Sequence, residues 1–191
     1  MNSLQRILTT LKYQEPDRVP VLPILLLQGA KILKIRLSEY LQNAEYMVQG
    51  QTALVEKYGY DGVYGIPHLV ENIEPFGGML TYYEYGAPTI AKMAWQQWSD
   101  LDNLQMKELI NHPSLQRTLK IIAGLAKKFK GEKLIIGGAI APFSLPSMLI
   151  GTEKWLELLW EDELIRTPIL KRSLDICKDF CVAWCNAQLR A

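Results

Sequence analysis

Apolar and polar positions alternate along this chain with two distinct periods. Near the start, Leu4, Ile7, Leu8 and Leu11 are interrupted by polar residues every two or three positions, which predicts a short amphipathic helix. Glu15-Pro-Asp-Arg-Val-Pro ends it, because proline removes a backbone donor and pushes its predecessor toward extended geometry. Residues 19–27 are then apolar without alternation, the pattern of a first strand buried on both faces. From residue 38 to 58 the helical period returns through Tyr40, Leu41, Ala44, Met47, Val48, Leu54 and Val55, with Ser38 as the expected cap and Gly59 as the stop. Residues 61–66 form the second strand candidate. Residues 79–85 predict one strand of a peripheral hairpin closed by Gly86-Ala-Pro.

Residues 94–111 carry a weaker pattern around Trp95 and Trp98. Pro113 then opens a clear helix whose apolar face, Leu115, Leu119, Ile122, Ala126 and Phe129, runs to the Lys127-Lys128 ending. Residues 133–141 predict a third core strand and 142–151 a short helix or turn; residues 152–160 are helical, and Pro168 lies near the start of a last helix that runs to residue 191. Strands separated by helices at this spacing imply an α/β fold of parallel βαβ units with right-handed crossovers. One unit with about three core strands and no internal linker fits the pattern.

In such folds functional residues gather where a strand ends and the loop to the next helix begins. That rule selects Gln28 to Lys31, His68 to Glu74, and Pro142 to Ser144. His68 offers a proton carrier, a hydrogen-bond donor or a ligand; a loop histidine satisfied by backbone is the plainer reading. Glu71 and Glu74 share one face of a helical turn, where they fit a cation or acid chemistry, although solvated carboxylates are the ordinary outcome. Ser144 has no nearby base and no nucleophile elbow, so it reads as a ligand contact or a helix cap. Cys177, Cys181 and Cys185 form a stripe along one helix, which suits packing better than a metal site. His112 reads as a surface turn residue. No phosphate loop, dinucleotide fingerprint or His-x-x-x-His is present.

Composition narrows the partners. The chain has 191 residues, 49% hydrophobic, with 21 basic against 20 acidic side chains and a net charge of +1. Nucleic acids and acidic membranes recruit a clustered positive surface, and nothing in this balance supplies one. The start lacks the continuous apolar core of a signal peptide, and the longest apolar run is far shorter than the roughly 20 residues that span a bilayer. Three cysteines within nine positions make no disulfide framework, so a cytoplasmic protein is expected.

Four segments together resemble the uroporphyrinogen decarboxylase superfamily, which includes the cobamide-dependent methyltransferases. They are Glu15-Pro-Asp-Arg-Val-Pro-Val, Glu56-Lys-Tyr-Gly-Tyr-Asp-Gly-Val, Glu74-Pro-Phe-Gly-Gly and Gly138-Ala-Ile-Ala-Pro-Phe-Ser-Leu. The resemblance implies a (β/α)8 barrel of which residues 1–191 supply the N-terminal half, one incomplete domain, since a whole barrel takes about 250 residues. The decarboxylase carries Arg-Gln-Ala-Gly-Arg after strand one, where this chain has Leu27-Gln-Gly-Ala-Lys31. Its aspartate that contacts the pyrrole nitrogens falls at His68, and its active-site tyrosine falls at Met148. Gly29-Ala-Lys31 and Leu37-Ser-Glu-Tyr-Leu41 instead resemble the methyltransferase branch, which moves a methyl group from a methylcobamide protein to a thiol.

What the resemblance implies is therefore a partial methyltransferase-type protein, with His68 catalytic and Gln28, Lys31, Glu74 and Ser144 touching substrate. The implied partners are a small-molecule substrate and a corrinoid protein. Zinc is implied for full-length relatives through a His-x-Cys pair and a later cysteine, all in the second half, so no metal or cofactor is expected on this chain alone. A half-barrel also leaves two open sheet edges, from which self-association or a complementing half-barrel is expected. The alternatives are a non-catalytic half-barrel remnant or assembly module, and a true uroporphyrinogen decarboxylase.

Overall fold

A computed structural model describes residues 1–161 and 168–191. Helix α1 (Ser3–Leu11) starts at a capping box in which Asn2 accepts from the Gln5 amide and Gln5 accepts from the Asn2 amide. After the proline-bearing segment come α2 (Gln28–Leu33), α3 (Leu37–Gln42) and α4 (Ala44–Tyr58), then strand β1 (Gly62–Tyr64). A 3-10 helix (Leu69–Phe76) leads into the antiparallel hairpin β2 (Met79–Thr81) and β3 (Thr89–Lys92). A second 3-10 helix (Trp98–Asn103), α5 (Met106–Ile110) and α6 (Pro113–Phe129) precede β4 (Leu134–Ile136). Helices α7 (Leu145–Ile150), α8 (Thr152–Glu161) and α9 (Pro168–Arg190) complete the described residues. β1 and β4 pair in parallel, Gly62 with Leu134 through Tyr64 with Ile136, so the α/β class with a parallel crossover and a separate hairpin stands. No helix among the described residues is long and apolar enough to cross a membrane.

Several boundaries differ from expectation for identifiable reasons. Residues 19–25 form no strand and no ladder, and they are not buried: Val19 is 79% exposed and Ile24 69%. Pro20 and Pro23 cannot donate, and the segment is tied to the β1 edge by the Asp61 amide donating to the Val21 carbonyl at 2.8 Å. The helix expected over 38–58 is two helices. Asn43 breaks it by turning extended (φ −120°, ψ 116°) and accepting from the amides of Glu45 and Tyr46, so Asn43 rather than Ser38 is the cap. Gly59 does stop α4, in the left-handed conformation that glycine adopts without strain. The strands expected over 61–66 and 133–141 shrink to three residues each.

The close fit of α2 on α4 depends on missing side chains. A Cβ on Gly29 would lie 2.1 Å from the Tyr40 hydroxyl, and one on Gly50 would lie 2.5 Å from the Tyr40 ring. Tyr40 fills that contact completely, and its hydroxyl accepts from Gln51 Nε2 at 3.2 Å. Around it lies one apolar cluster, including Met47, Leu54, Val63, Ile121 and Leu125. A second cluster, centred on Trp95, Leu145, Phe180 and Trp184, packs under α7, α8 and α9. Helix α6 contributes to both, Leu115 to the second and Ile121, Leu125 and Phe129 to the first.

At the end where β1 begins, a buried ion network fixes the N-terminal segment. Asp61 is fully buried; Arg6 Nη1 donates to its Oδ1 at 2.6 Å, Arg18 donates to both oxygens at 2.8 Å, and the Val21 amide donates to Oδ2 at 2.8 Å. Arg6 also grips Asp17 through Nε and Nη2. Burial alone would raise the Asp61 pKa, but the Val21 amide and the two guanidiniums outweigh it and hold it at about 2. α1 is thereby clamped beneath the parallel strands, with its Leu4 amide donating to the Glu132 carbonyl at 2.8 Å.

Replacing Asp61 by Asn leaves Arg6 largely buried against a neutral amide, and the loss of such a pair costs about 3 kcal/mol. Urea unfolding of D61N should show a clearly lower midpoint; an unchanged midpoint contradicts the clamp. The native carboxyl is held below its ordinary value, so its contribution is complete above about pH 4 and is lost as pH falls toward 2. The difference between wild type and D61N should therefore narrow over that range.

Candidate functional site

β1 delivers the chain into Ile66-Pro67-His68, and the 3-10 helix that follows turns its polar residues inward. His68 is extended (φ −166°) and buried, 4% exposed, with Nε2 3.2 Å from the Tyr82 hydroxyl and the two rings edge to face. Glu71 is 1% exposed, and the Thr118 hydroxyl lies 2.9 and 2.8 Å from its two oxygens. Arg117 reaches both acids at longer range, 4.0 Å to Glu71 and 3.9 Å to Glu74. Pro75 and Gly77 close the turn, the glycine at φ 92°. His68, Glu71, Glu74, Tyr82, Arg117 and Thr118 thus form one polar group beyond the C-terminal end of β1.

Burial governs its electrostatics. Burial pushes Glu71 up to about 8 against the opposing Thr118 hydroxyl and Arg117, while Glu74 adds to the rise. Although Arg117 stands within ion-pair distance, 4.0 Å is too long to offset the loss of water, so Glu71 is mostly a neutral acid at pH 7. The Thr118 hydroxyl donates toward both oxygens, sharing its one hydrogen between them, which is too little to replace the lost water. Burial also raises Glu74, and burial with the Arg117 charge lowers His68 to about 3. His68 is therefore a neutral hydrogen-bonding group at physiological pH. Its Nδ1, Glu74 Oε2 and Arg117 Nε and Nη2 are buried without a hydrogen-bond partner among the described residues.

The structure brings His68 and Glu74 together and leaves the other three expected site residues elsewhere. Gln28 is exposed on α2 and lines an apolar groove with Val21, Pro23, Leu25, Tyr58 and Tyr60. Lys31, also exposed, lines a separate cavity beneath the hairpin tip. Ser144 is exposed at the start of α7 and makes no side-chain cap; its carbonyl accepts from the Ser147 hydroxyl. Glu71 and Glu74 are not the solvated pair that their spacing suggests. His112 is a cap rather than a plain turn residue: its Nδ1 accepts from the Ser114 amide at 3.3 Å and lies 2.8 Å from the Ser114 hydroxyl.

The loop after β4 is held by side chains acting on its backbone. Gln188 Oε1 accepts from the Gly138 amide at 2.8 Å, and Gln188 Nε2 and Trp184 Nε1 both donate to the Gly138 carbonyl at 3.1 Å. Asn72 Oδ1 accepts from the Ile140 amide at 3.1 Å, and the Cys181 thiol donates to the Ile140 carbonyl at 2.7 Å. Cys177 and Cys181 face inward as expected, while Cys185 is exposed. Burial raises both inward thiols, Cys177 to about 12, the opposite of what a metal thiolate requires. Among the described residues no three His, Cys, Asp or Glu side chains are placed to hold a metal ion.

Comparison with known proteins bears on this site. The family model of uroporphyrinogen decarboxylase matches residues 2–191. The methylcobamide:CoM methyltransferase MtbA of Methanosarcina acetivorans is 28% identical over 191 residues, covering 97% of this chain and 54% of its own length. A solved methyltransferase from Methanosarcina mazei superposes with a TM-score of 0.84 at 20% identity, covering all of this chain and 56% of that one. The chain thus spans about half the length of these relatives.

Because Glu71 is already neutral, glutamine at this position keeps one donor and one acceptor toward Thr118. A raised carboxyl favours folding fully below its ordinary pKa of 4.5, and that contribution disappears as pH climbs through about 8. E71Q should match wild type near pH 5 and exceed it by on the order of 2 kcal/mol at pH 8.5 in urea unfolding. Equal stability at both pH values contradicts a neutral Glu71.

Proposed function

We propose, given that this chain belongs to the uroporphyrinogen decarboxylase family, that it forms the first part of a methyltransferase-type (β/α)8 barrel. In that reading the segment 19–25, β1 and β4 stand as barrel strands one to three. The complete protein passes a methyl group from a methylcobamide protein to the sulfur of a small thiol. The chain's own contribution is to shape one side of the barrel mouth. His68, neutral and fixed by Tyr82, keeps a buried Nδ1 without a hydrogen-bond partner among the described residues, and Glu74 holds its Oε2 3.9 Å from Arg117, so this polar group backs the mouth. Gln28, Lys31 and Ser144 serve as outlying contacts for the substrate or for the corrinoid protein.

The observation that carries this reading is the state of His68. The decarboxylase reaction needs a carboxylate at this position to gather pyrrole N–H groups, and an imidazole offers at most one acceptor nitrogen. Burial keeps this imidazole neutral, and Nε2 is already engaged by Tyr82. Leu27 supplies no charge, and Lys31 supplies a point charge in place of a planar fork. Those substitutions favour the methyltransferase branch. A second reading, an assembly module, draws on the apolar surface of Val19, Val21 and Ile24, which is exposed where a barrel would cover it.

The test supplies the complete protein, of which this chain is the first part, with a methylated corrinoid protein and a thiol and follows the corrinoid absorption spectrum. Thiol-dependent loss of the methyl form is expected, slowed about tenfold or more in H68A. Uroporphyrinogen given to the same protein should yield no coproporphyrinogen; its formation overturns the reading. If neither reaction occurs and light scattering finds a stable dimer, the assembly reading replaces it.

A further inference from the structure

Outside the polar group around His68, one further buried polar atom lacks a partner and faces open space. Tyr60 is 3% exposed, and its hydroxyl has no hydrogen-bond partner among the described residues. Native interiors carry few such groups, because a buried hydroxyl left unserved opposes folding. Burial raises the Tyr60 pKa to about 12, so the phenol is neutral and has a hydrogen to donate. Tyr60 lines a groove of about 350 Å³ with Val21, Pro23, Leu25 and Tyr58, a volume in the range of small-ligand sites. The exposed Gln28 is the remaining lining residue, and no charged side chain among the described residues lines the groove.

The walls are fixed by main-chain bonds. The Val21 amide donates to Asp61 Oδ2 and the Val21 carbonyl accepts from the Asp61 amide, both at 2.8 Å. The Leu25 carbonyl accepts from Gln51 Nε2 at 2.9 Å, and the Tyr60 carbonyl accepts from Lys133 Nζ at 2.8 Å. A groove framed in this way keeps its shape without an occupant, which lowers the ordering cost of receiving one. Water is a poor occupant. Beside Tyr60 it would meet apolar walls and one hydroxyl, short of the several polar partners that hold an ordered water.

We propose that this groove binds a small uncharged organic molecule, an aromatic or alicyclic body with one carbonyl-type acceptor, the acceptor on the Tyr60 hydroxyl and the body against Val21, Pro23, Leu25 and Tyr58. Val21 is 50% exposed and Tyr58 59%, so the body covers apolar wall that water otherwise touches. A carboxylate or an ammonium would leave water for a surface with no lining counter-charge. A hydrocarbon would fill the groove and leave the hydroxyl unserved. Binding at Tyr60 draws on no residue of the group around His68, so the site goes beyond the methyl-transfer reading and does not rest on it.

The experiment compares acetophenone with α-methylstyrene, which has the same shape and carries a methylene group in place of the carbonyl oxygen. Both, and benzoate as the charged control, are titrated into the 15N-labelled chain and into its Y60F variant while amide shifts are followed. Acetophenone should saturate the wild type and shift the amides of Val21, Leu25, Tyr58 and Tyr60. Y60F should lose acetophenone affinity about fivefold or more and keep the wild-type affinity for α-methylstyrene, which isolates one hydroxyl–carbonyl bond from any change in the groove's shape. Benzoate should bind wild type about tenfold or more weakly than acetophenone. Because the hydroxyl has no partner in the described chain, Y60F should keep or raise the thermal midpoint; a clear fall overturns the proposal. Shifts centred on other residues, an equal loss of both ligands or no loss in Y60F, or benzoate bound as tightly as acetophenone also overturns it. So does a dimer by light scattering that leaves the groove closed to acetophenone, since a second copy is then the occupant. None of these outcomes bears on methyl transfer, so the two readings fail separately.

Discussion

Asp61 is the constraint on which the rest of the structure depends. It sits where β1 starts, fully buried, and it receives Arg6 from α1, Arg18 and the Val21 amide from the proline-bearing segment. A lone carboxylate in that position would be untenable, so folding requires the first 21 residues to arrive before β1 can be sealed. Everything above it follows in order. The clamp sets the segment 19–25 beside β1, β1 sets β4, and the direction of the two strands points His68 and the 138–144 loop toward the same end of the molecule.

Thr118 shows how a second buried polar contact shapes the other end. It lies on α6 between Leu115, which serves one apolar cluster, and Ile121, which serves the other. A purely apolar stripe would merge the two clusters. The hydroxyl instead admits Glu71, and Arg117 next to it draws in Glu74. The cost of burying these groups is met partly by protonating Glu71 and leaving His68 neutral, which lowers the charge that must be carried away from water. The site is thus poised by desolvation more than by ion pairing.

The sequence revealed the fold class, because the helical period of α4 and α6 and the parallel strand between them are local and strong signals. It revealed less about the edges. Residues 19–27 are as apolar as a core strand, but a count of apolar residues does not register what Pro20 and Pro23 remove from a hydrogen-bond ladder. Asn43 was hidden within a continuous helical pattern, since a cap breaks a helix through its side chain without disturbing apolar spacing. At the site, His68 and Glu74 were legible from their place after a strand. Tyr82, Arg117 and Thr118 were not, because they come from other elements. One clue did exist: Thr118 stands on the same face as Leu115, Ile122 and Phe129, and a polar residue on an apolar stripe marks a place where something must meet it.

The loop after β4 has one further property. Its five restraints from Asn72, Cys181, Trp184 and Gln188 all end on main-chain atoms of Gly138 and Ile140, which every amino acid except proline possesses. Shape and identity are therefore decoupled there. The exposed side chains at Ala141 and Ser144 are free to diverge between descendants while the loop keeps its course, whereas Ile140 packs on the apolar cluster, Phe143 lies against Trp155, and a Cβ at Gly137 would come within 2.3 Å of Gln188 Oε1. Lineages of this protein can change what the loop offers to a ligand without rebuilding the frame that presents it.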